Sequence, residues 1–353
     1  MAPLTVAITG ASGFVGSHIL KAALNQGYNT VAISRGAKAA YIKKASSKYG
    51  ERLRVVEVDN IFTGKIDKEV FKGVDALIHV ATPLASKGTP FEEVIPNAIN
   101  GTLNIVQQAA DAGVKSIVLT GSLAAVWNPE RSFKPDDWNP ITIEKALDSK
   151  NPMVLYEANK KYSELAVWEW AEKHPEVEVT FILPPMCFGP YEHEFYDVRE
   201  DNLSLSIQFM YSFIYPDAQY PVFLLHTDVR DLALAHLNAL KAPPTSAIGR
   251  KRVFFASPHD LDYKDVFALL AEKRPQLKER FNKREPPVPP LTRVPCDFKR
   301  IEEVTGFKPE DMRTVEQTLL DLYDDCLMLE EKWKAEGRDA SKLPGSIANI
   351  HPV

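Results

Sequence analysis

The chain has 353 residues, 45% of them hydrophobic and 25% charged, with a formal net charge of −5; this suits a soluble globular protein with a large core and offers no basic run for nucleic acid. No apolar run approaches the ~20 residues of a membrane span, and the chain enters a strand almost at once, with no room for a signal or transit peptide. Cys187, Cys296 and Cys326 are far apart and lack CxxC spacing, which argues against a disulfide framework or a metal site and leaves free thiols in a reducing compartment, by default the cytoplasm.

Leu4–Thr9 is an apolar, β-branched run that reads as a strand, and Phe14–Asn25 as an amphipathic helix. Gly27 stops that helix before a second strand at Asn29–Ser34. A helix over Lys38–Tyr49, closed by Gly50, leads to a third strand at Arg54–Val58. A fourth strand at Ala76–Ala81 precedes a long helix at Glu92–Ala112, ended by Gly113. Ser116–Thr120 is the fifth strand, Met153–Lys173 another long helix, and Val179–Leu183 the sixth strand. This alternation predicts an α/β fold, a doubly wound parallel sheet of the Rossmann type with helices on both faces.

After Pro190 the rhythm breaks. Tyr191–Leu203 is polar and aromatic without a clear period, His226–Lys241 reads as helix, Arg252–Phe255 as strand and Asp260–Lys273 as helix. Pro286–Pro290 holds four prolines in five residues and must be extended loop. Arg313–Glu336 is a long charged helix with apolar residues at helical spacing, and the tail after Gly337 is irregular. Residues 1–190 are therefore expected to form a nucleotide-binding domain that carries the chemistry. Residues 191–353 form a smaller, irregular α/β substrate-binding subdomain, with about 220–255 returning to the first. Such sheets bind ligands beyond the strand C-termini where the strand order reverses.

The most informative signal is the turn after the first strand. Gly10, Gly13 and Gly16 follow a strand at three-residue spacing and open a helix. Glycines let the backbone approach a pyrophosphate, while the first N–H groups and the dipole of the helix attract it. In an NAD site an acid at the end of the second strand takes the ribose hydroxyls. Here that strand ends Ser34-Arg35, with Lys38, Lys43 and Lys44 beyond. Arg35 either caps the strand in solvent or forks onto a 2′-phosphate; with an acid missing and a base in its place, NADP(H) is expected over NAD(H). Asp59-Asn60, after the third strand, is placed either to hydrogen-bond the adenine amino group or simply to turn the chain.

Tyr156 and Lys160 stand four apart at the start of the helix after the fifth strand, and Ser122 lies just past that strand's end. Spacing i,i+4 puts the phenol and the ammonium on one helical face. A nearby cation favours the phenolate, so the phenol becomes usable as an acid–base group near neutrality. A hydroxyl beside it can donate to a carbonyl oxygen as charge develops there. The cofactor would carry the hydride.

These stretches together carry a resemblance. Thr9-Gly10-Ala11-Ser12-Gly13-Phe14-Val15-Gly16, Ile78-His79-Val80-Ala81-Thr82-Pro83, Val118-Leu119-Thr120-Gly121-Ser122, Tyr156-Glu157-Ala158-Asn159-Lys160-Lys161, Phe188-Gly189-Pro190 and Asp228-Val229-Arg230-Asp231 resemble the extended short-chain dehydrogenase/reductases. Within them the chain is most similar to the group of dihydroflavonol 4-reductase, cinnamoyl-CoA reductase and the fungal methylglyoxal and carbonyl reductases. The similarity is dense from Leu4 to Pro190 and runs, thinner, to about Leu320.

The resemblance implies that Ser122, Tyr156 and Lys160 are the catalytic triad. It implies that Gly10, Ser12, Gly13, Phe14, Val15 and Gly16 form the pyrophosphate turn, and that Val80, Ala81, Thr82 and Thr120 run along the cofactor. Pro184 and Cys187 match backbone positions flanking the nicotinamide amide, and Asn97 or Asn100 could join a proton relay. Leu84, Leu123, Met186 and the Tyr191–Tyr196 segment either line the substrate cavity or pack as ordinary core and loop. His79, within a strand, reads as a structural hydrogen-bonder, and His193 has no assigned role.

Two departures stand out. Gly121 replaces a usual serine and would widen the pocket floor, and Leu183 replaces a usual Asn ahead of Pro184, with Pro185-Met186 bulky and apolar. The expected activity is NADPH-dependent reduction of an apolar aldehyde or ketone by a monomer or homodimer. An NAD-dependent sugar-nucleotide epimerase or dehydratase and a non-catalytic NADP-binding regulator are the rivals.

Overall fold

A computed structural model describes residues 3–61, 66, 68–82, 90–128, 133–199, 202–221 and 224–338. In chain order the elements are β1 (Thr5–Thr9), α1 (Phe14–Asn25), β2 (Asn29–Ser34), α2 (Gly36–Tyr49), β3 (Leu53–Glu57), β4 (Ala76–His79), α3 (Phe91–Asp111), β5 (Ser116–Thr120), α4 (Ile143–Ser149) and α5 (Pro152–Glu172). There follow β6 (Glu178–Leu183), β7 (Met186–Phe188), α6 (Leu205–Tyr211), β8 (His226–Asp228), α7 (Val229–Ala239), α8 (Thr245–Ile248), β9 (Lys251–Phe254), α9 (Tyr263–Lys273), α10 (Phe298–Thr305) and α11 (Val315–Ala335).

Seven strands form one parallel sheet in the order β3-β2-β1-β4-β5-β6-β9, and β7 pairs with β8 in a second, two-stranded one. Strand residues alternate between two cores, as a period of two requires. Val6 and Ile8 of β1 face one core with Ile19 and Leu20 of α1 and Leu232 of α7. Ala7 faces the other with Ile105 and Val106 of α3 and Val167 of α5. Both faces are covered, which explains why the strands read as near-continuous apolar runs. The order reverses between β1 and β4, so a crevice opens beyond their C-terminal ends, the place where such sheets bind ligands.

Several elements differ from expectation. The helix expected from His226 begins only at Val229, because His226–Asp228 pairs in parallel with Met186–Phe188 and the Asp228 side chain caps the helix by accepting from Arg230 N. Three-residue strands carry no readable period. The short helices α4, α6 and α10 were not expected, although Thr142, Ser204 and Asp297 cap them with side-chain oxygens. The fourth strand stops at His79, two residues early. Among the described residues no helix is long and apolar enough to cross a membrane.

Candidate active site

The glycine turn is built by contact. Gly10 sits at φ +69°, and a Cβ there would stand 2.9 Å from the Ala81 backbone nitrogen. A Cβ on Gly16 would stand 2.1 Å from the Gly10 carbonyl oxygen, so α1 lies directly on the end of β1. Gly13 caps α1 without a side-chain acceptor, and no acid lies in the first turn. The leading N–H groups of α1 are thus left to an outside anion. Ser12 is buried, its hydroxyl bonded to that of Ser34 at 2.7 Å. Phe14 packs edge-on to Tyr191 at 5.0 Å and Val15 is half-buried.

At the end of β2, Arg35 is the N-cap residue of α2, exposed, with Lys38 three residues on and no acid in the helix's first turn. Lys43 pairs with Glu57 at 3.7 Å, and the Lys44 ammonium lies over the Tyr41 ring. Among the described residues neither Arg35 nor Lys38 has a carboxylate partner. Burial, then the neighbouring Arg35 and Arg199, lower the Lys38 pKa. Asp59 and Asn60 are exposed just beyond β3.

The turn, Arg35 and the open end of α1 suit a dinucleotide phosphate. Small, acid-free and basic, they leave room and charge where a Cβ or a carboxylate would forbid it.

Tyr156 and Lys160 emerge from the first turns of α5, which Asn151 caps by accepting from Met153 N. Both side chains are half-buried. Ser122 follows β5; its oxygen accepts from Ala124 N at 3.2 Å, and its hydroxyl lies near enough to the Tyr156 phenol to favour the phenolate. The structure therefore brings Ser122 and Tyr156 together.

Lys160 Nζ donates to Thr82 Oγ1 at 2.9 Å and to the Thr120 carbonyl at 3.1 Å, and lies 5.9 Å from the centre of the Tyr156 ring. Burial raises the Tyr156 pKa, and Ser122 alone opposes it. The expected lowering of the phenol by Lys160 has no counterpart in the free protein. Burial brings Lys160 down to about 8, with Glu164 and Cys187 pulling the other way.

Lys160 and Glu164 share the wall of a cavity of about 20 Å³ with His79, Thr82, Thr102 and Asn159, about enough for one water. His79 hydrogen-bonds through Nδ1 to Thr9 Oγ1 at 2.8 Å, and burial, then Lys160, hold its pKa near 3. It is a neutral structural group. Asn97 is half-buried and Asn100 exposed on α3, and neither lines this cavity.

Other expected positions are engaged differently. The Thr120 hydroxyl bonds to His236 Nε2 at 2.8 Å, so only its carbonyl serves the site. The Pro184 carbonyl accepts from Leu123 N at 2.9 Å, and Cys187 N donates to Ser206 Oγ at 3.2 Å. Val80 and Ala81 stand at the crevice, with Val80 N donating to the Thr9 carbonyl at 3.3 Å. Leu123 is buried and Met186 half-buried, while Leu84 lies outside the described residues. Tyr191 and Tyr196 stack at 5.3 Å and are buried, so they pack as core. His193 bonds to Asp325 of α11 at 2.5 Å.

Gly121 does not widen the floor. A Cβ there would meet Leu183 Cγ at 2.9 Å, so the leucine fills the space that the missing side chain leaves. The two departures compensate each other. Gly121→Ser should therefore cost about 1–3 kcal/mol in chemical denaturation, and a double-mutant cycle with Leu183→Ala should show a coupling of about 1 kcal/mol.

Sequence reasoning missed Glu164. It is buried, bonded to Arg252 Nε at 2.7 Å and to Trp168 Nε1 at 3.1 Å, and stands one turn beyond Lys160. Its i,i+4 spacing from Lys160 was the available signal.

The profile of the NAD dependent epimerase/dehydratase family matches residues 6–251. The chain belongs to this family. A putative uncharacterized oxidoreductase of Schizosaccharomyces pombe is 32% identical over 248 residues, 67% of this chain and 73% of the relative. The NADPH-dependent methylglyoxal reductase GRE2 of Saccharomyces cerevisiae is 27% identical over 350 residues, 93% of this chain and 99% of its own. The crystal structure of yeast methylglyoxal/isovaleraldehyde reductase Gre2 complexed with NADPH superposes with a TM-score of 0.75 at 26% identity, over 95% of this chain and 100% of that one. UDP-glucuronic acid 4-epimerase from Bacillus cereus in complex with NAD shares the fold, with a TM-score of 0.65 at 15% identity over 94% of this chain and 98% of that one.

Proposed function

We propose that the protein is an NADPH-dependent reductase that converts an apolar aldehyde or ketone to the alcohol. The observation that carries this reading is the hydroxyl pair of Tyr156 and Ser122, with Lys160 one helical turn along, beside the crevice that the glycine turn opens. The relatives named as NADPH-dependent reductases support it.

NADPH, when bound, supplies the hydride that the carbonyl carbon receives. Gly10, Gly13, Gly16 and the first N–H groups of α1 would hold the pyrophosphate, Arg35 and Lys38 the 2′-phosphate, and Asp59 or Asn60 the adenine amino group. Val80, Ala81 and Thr82 would line the path between them. Lys160 would hold the nicotinamide ribose.

Tyr156, kept protonated by burial, gives its proton to the oxygen as negative charge develops. Ser122 donates a hydrogen bond to the same oxygen. Leu123 and Met186 offer the substrate apolar surface.

Arg35 counts against the epimerase or dehydratase reading, because an NAD site needs an acid there. The Tyr–Lys pair counts against a regulator without turnover. The three cysteines are free, and burial lifts Cys187 and Cys296 to about 12. Inert thiols fit the cytoplasm, where we place the protein as a monomer or homodimer.

The testing experiment is a panel of aldehydes and ketones with NADPH and NADH side by side. Oxidation of NADPH with apolar carbonyls is expected; equal use of the two cofactors overturns the role of Arg35, and no oxidation of either overturns the enzyme.

The pH dependence follows from Lys160. Its ammonium is present below about 8 and lost above, far earlier than for an ordinary lysine. The kcat/KM for NADPH, which reports the free enzyme, should fall as pH rises through about 8. A profile flat to pH 10 would mean that this charge does not serve the cofactor.

A further inference from the structure

The cavity of about 20 Å³ beside Lys160 has room for one water, and its wall is unusually polar. Lys160 and Glu164, one turn apart on α5, line it together with His79 and Thr102. Lys160 Nζ gives two of its three protons to Thr82 Oγ1 and the Thr120 carbonyl. Glu164 Oε1 accepts from Arg252 Nε at 2.7 Å and Trp168 Nε1 at 3.1 Å, whereas Oε2 has only Arg252 Nη2 at 3.5 Å. The rest of Arg252 is directed elsewhere, with Nη1 donating to the Pro135 and Asp137 carbonyls at 2.7 and 2.8 Å. One oxygen of Glu164 is thus weakly used. His79 is 4% exposed, and its Nε2 has no partner among the described residues, while its Nδ1 is bonded to Thr9. Leaving a buried ring nitrogen unmet is costly, and a water in this polar cavity supplies what it lacks.

An ammonium shut away from water loses its proton readily, because burial penalises the charged form. Burial does lower Lys160, to about 8, and Glu164 opposes it. The other titratable groups around it are uncharged: burial holds His79 of β4 near 3, lifts the Cys187 thiol of β7 to about 12 and keeps Tyr156 protonated. Arg252 of β9 is a cation and stands against Glu164. Glu164 is the one carboxylate in the cavity wall. Burial raises its pKa, and Arg252, Trp168 and Lys160 oppose the rise. We propose that Glu164 is a positioning residue for the reduction, whose carboxylate keeps the Lys160 ammonium charged for the cofactor ribose across one cavity water shared with His79 Nε2. The inference rests on the role given to Lys160 above. It adds a residue that touches neither substrate nor cofactor and acts through the lysine one turn before it.

The test is the pH dependence of NADPH binding to the full chain, read by calorimetry for wild type, Glu164→Gln and Glu164→Asp. A crystal structure of the wild-type protein that resolves ordered water accompanies it. Glutamine keeps the shape and an acceptor for Arg252 but removes the negative charge, so the ammonium is lost at lower pH. Affinity that falls near pH 8 in wild type should fall about one unit lower in Glu164→Gln. It should return most of the way in Glu164→Asp, which keeps the charge. Any titration of Lys38 is common to all three proteins. The crystal structure should show one water within hydrogen-bonding distance of His79 Nε2, Lys160 Nζ and Glu164. A fall at the same pH in wild type and Glu164→Gln overturns the inference and leaves the role of Lys160 standing. Wild-type affinity flat to pH 10 removes Lys160 from cofactor binding and the inference with it, and no NADPH binding at any pH overturns the cofactor reading itself. Should Glu164→Gln fail to fold because Arg252 loses its counter-charge, the wild-type structure decides, and a cavity without water overturns the inference.

Discussion

Tyr156→Phe lowers turnover by about 10²–10⁴-fold, the worth of a positioned acid, while NADPH affinity stays near wild type. The phenol hydroxyl lies near Ser122 and sits at the start of α5. Phenylalanine keeps the ring and its packing, so the change removes a proton donor and little else. Ser122 loses a partner but still caps the short turn through Ala124 N. Steady-state kinetics with NADPH and a good carbonyl substrate, beside a binding measurement, read the two effects separately. Turnover within a few-fold of wild type would remove Tyr156 from the chemistry.

The second large effect is at Gly16. Its Cβ would stand 2.1 Å from the Gly10 oxygen and 2.7 Å from the Gly10 carbonyl carbon, both backbone atoms that cannot rotate away. Gly16→Ala must therefore push α1 off the end of β1. A loss of about 3 kcal/mol in stability is expected, the upper end for overpacking, together with loss of NADPH binding as the helix N-terminus moves.

Gly13→Ala serves as the comparison. Its Cβ would meet the same oxygen at 3.2 Å, which needs a shift of only tenths of an ångström, so it should cost clearly less. Denaturation midpoints for the two variants give the order. The reverse order would contradict the packing described.

The parts legible in the sequence were those written locally. β-branched runs, glycines at helix ends and the turn after β1 define the sheet and its crevice, and α1, β2 and β5 fall at their expected bounds. The Tyr–Lys spacing likewise lies within one helix. What escaped depends on partners far along the chain. Thr120 turns its hydroxyl to His236, 116 residues away, and Arg252 meets Glu164 across 88. The emptiness at Gly121 is filled by Leu183 from the neighbouring strand, a relation that neither residue announces alone. Strands as short as β7 and β8 exist because they pair with each other, and no period within three residues could reveal them.

The most direct measurement is a crystal structure of the NADPH complex. The account predicts the Tyr156 and Ser122 hydroxyls together on one face of the nicotinamide ring, Lys160 Nζ on its ribose and Arg35 on the 2′-phosphate. A ring bound with Tyr156 on the far side of the cofactor, or out of reach of its reacting carbon, would contradict it.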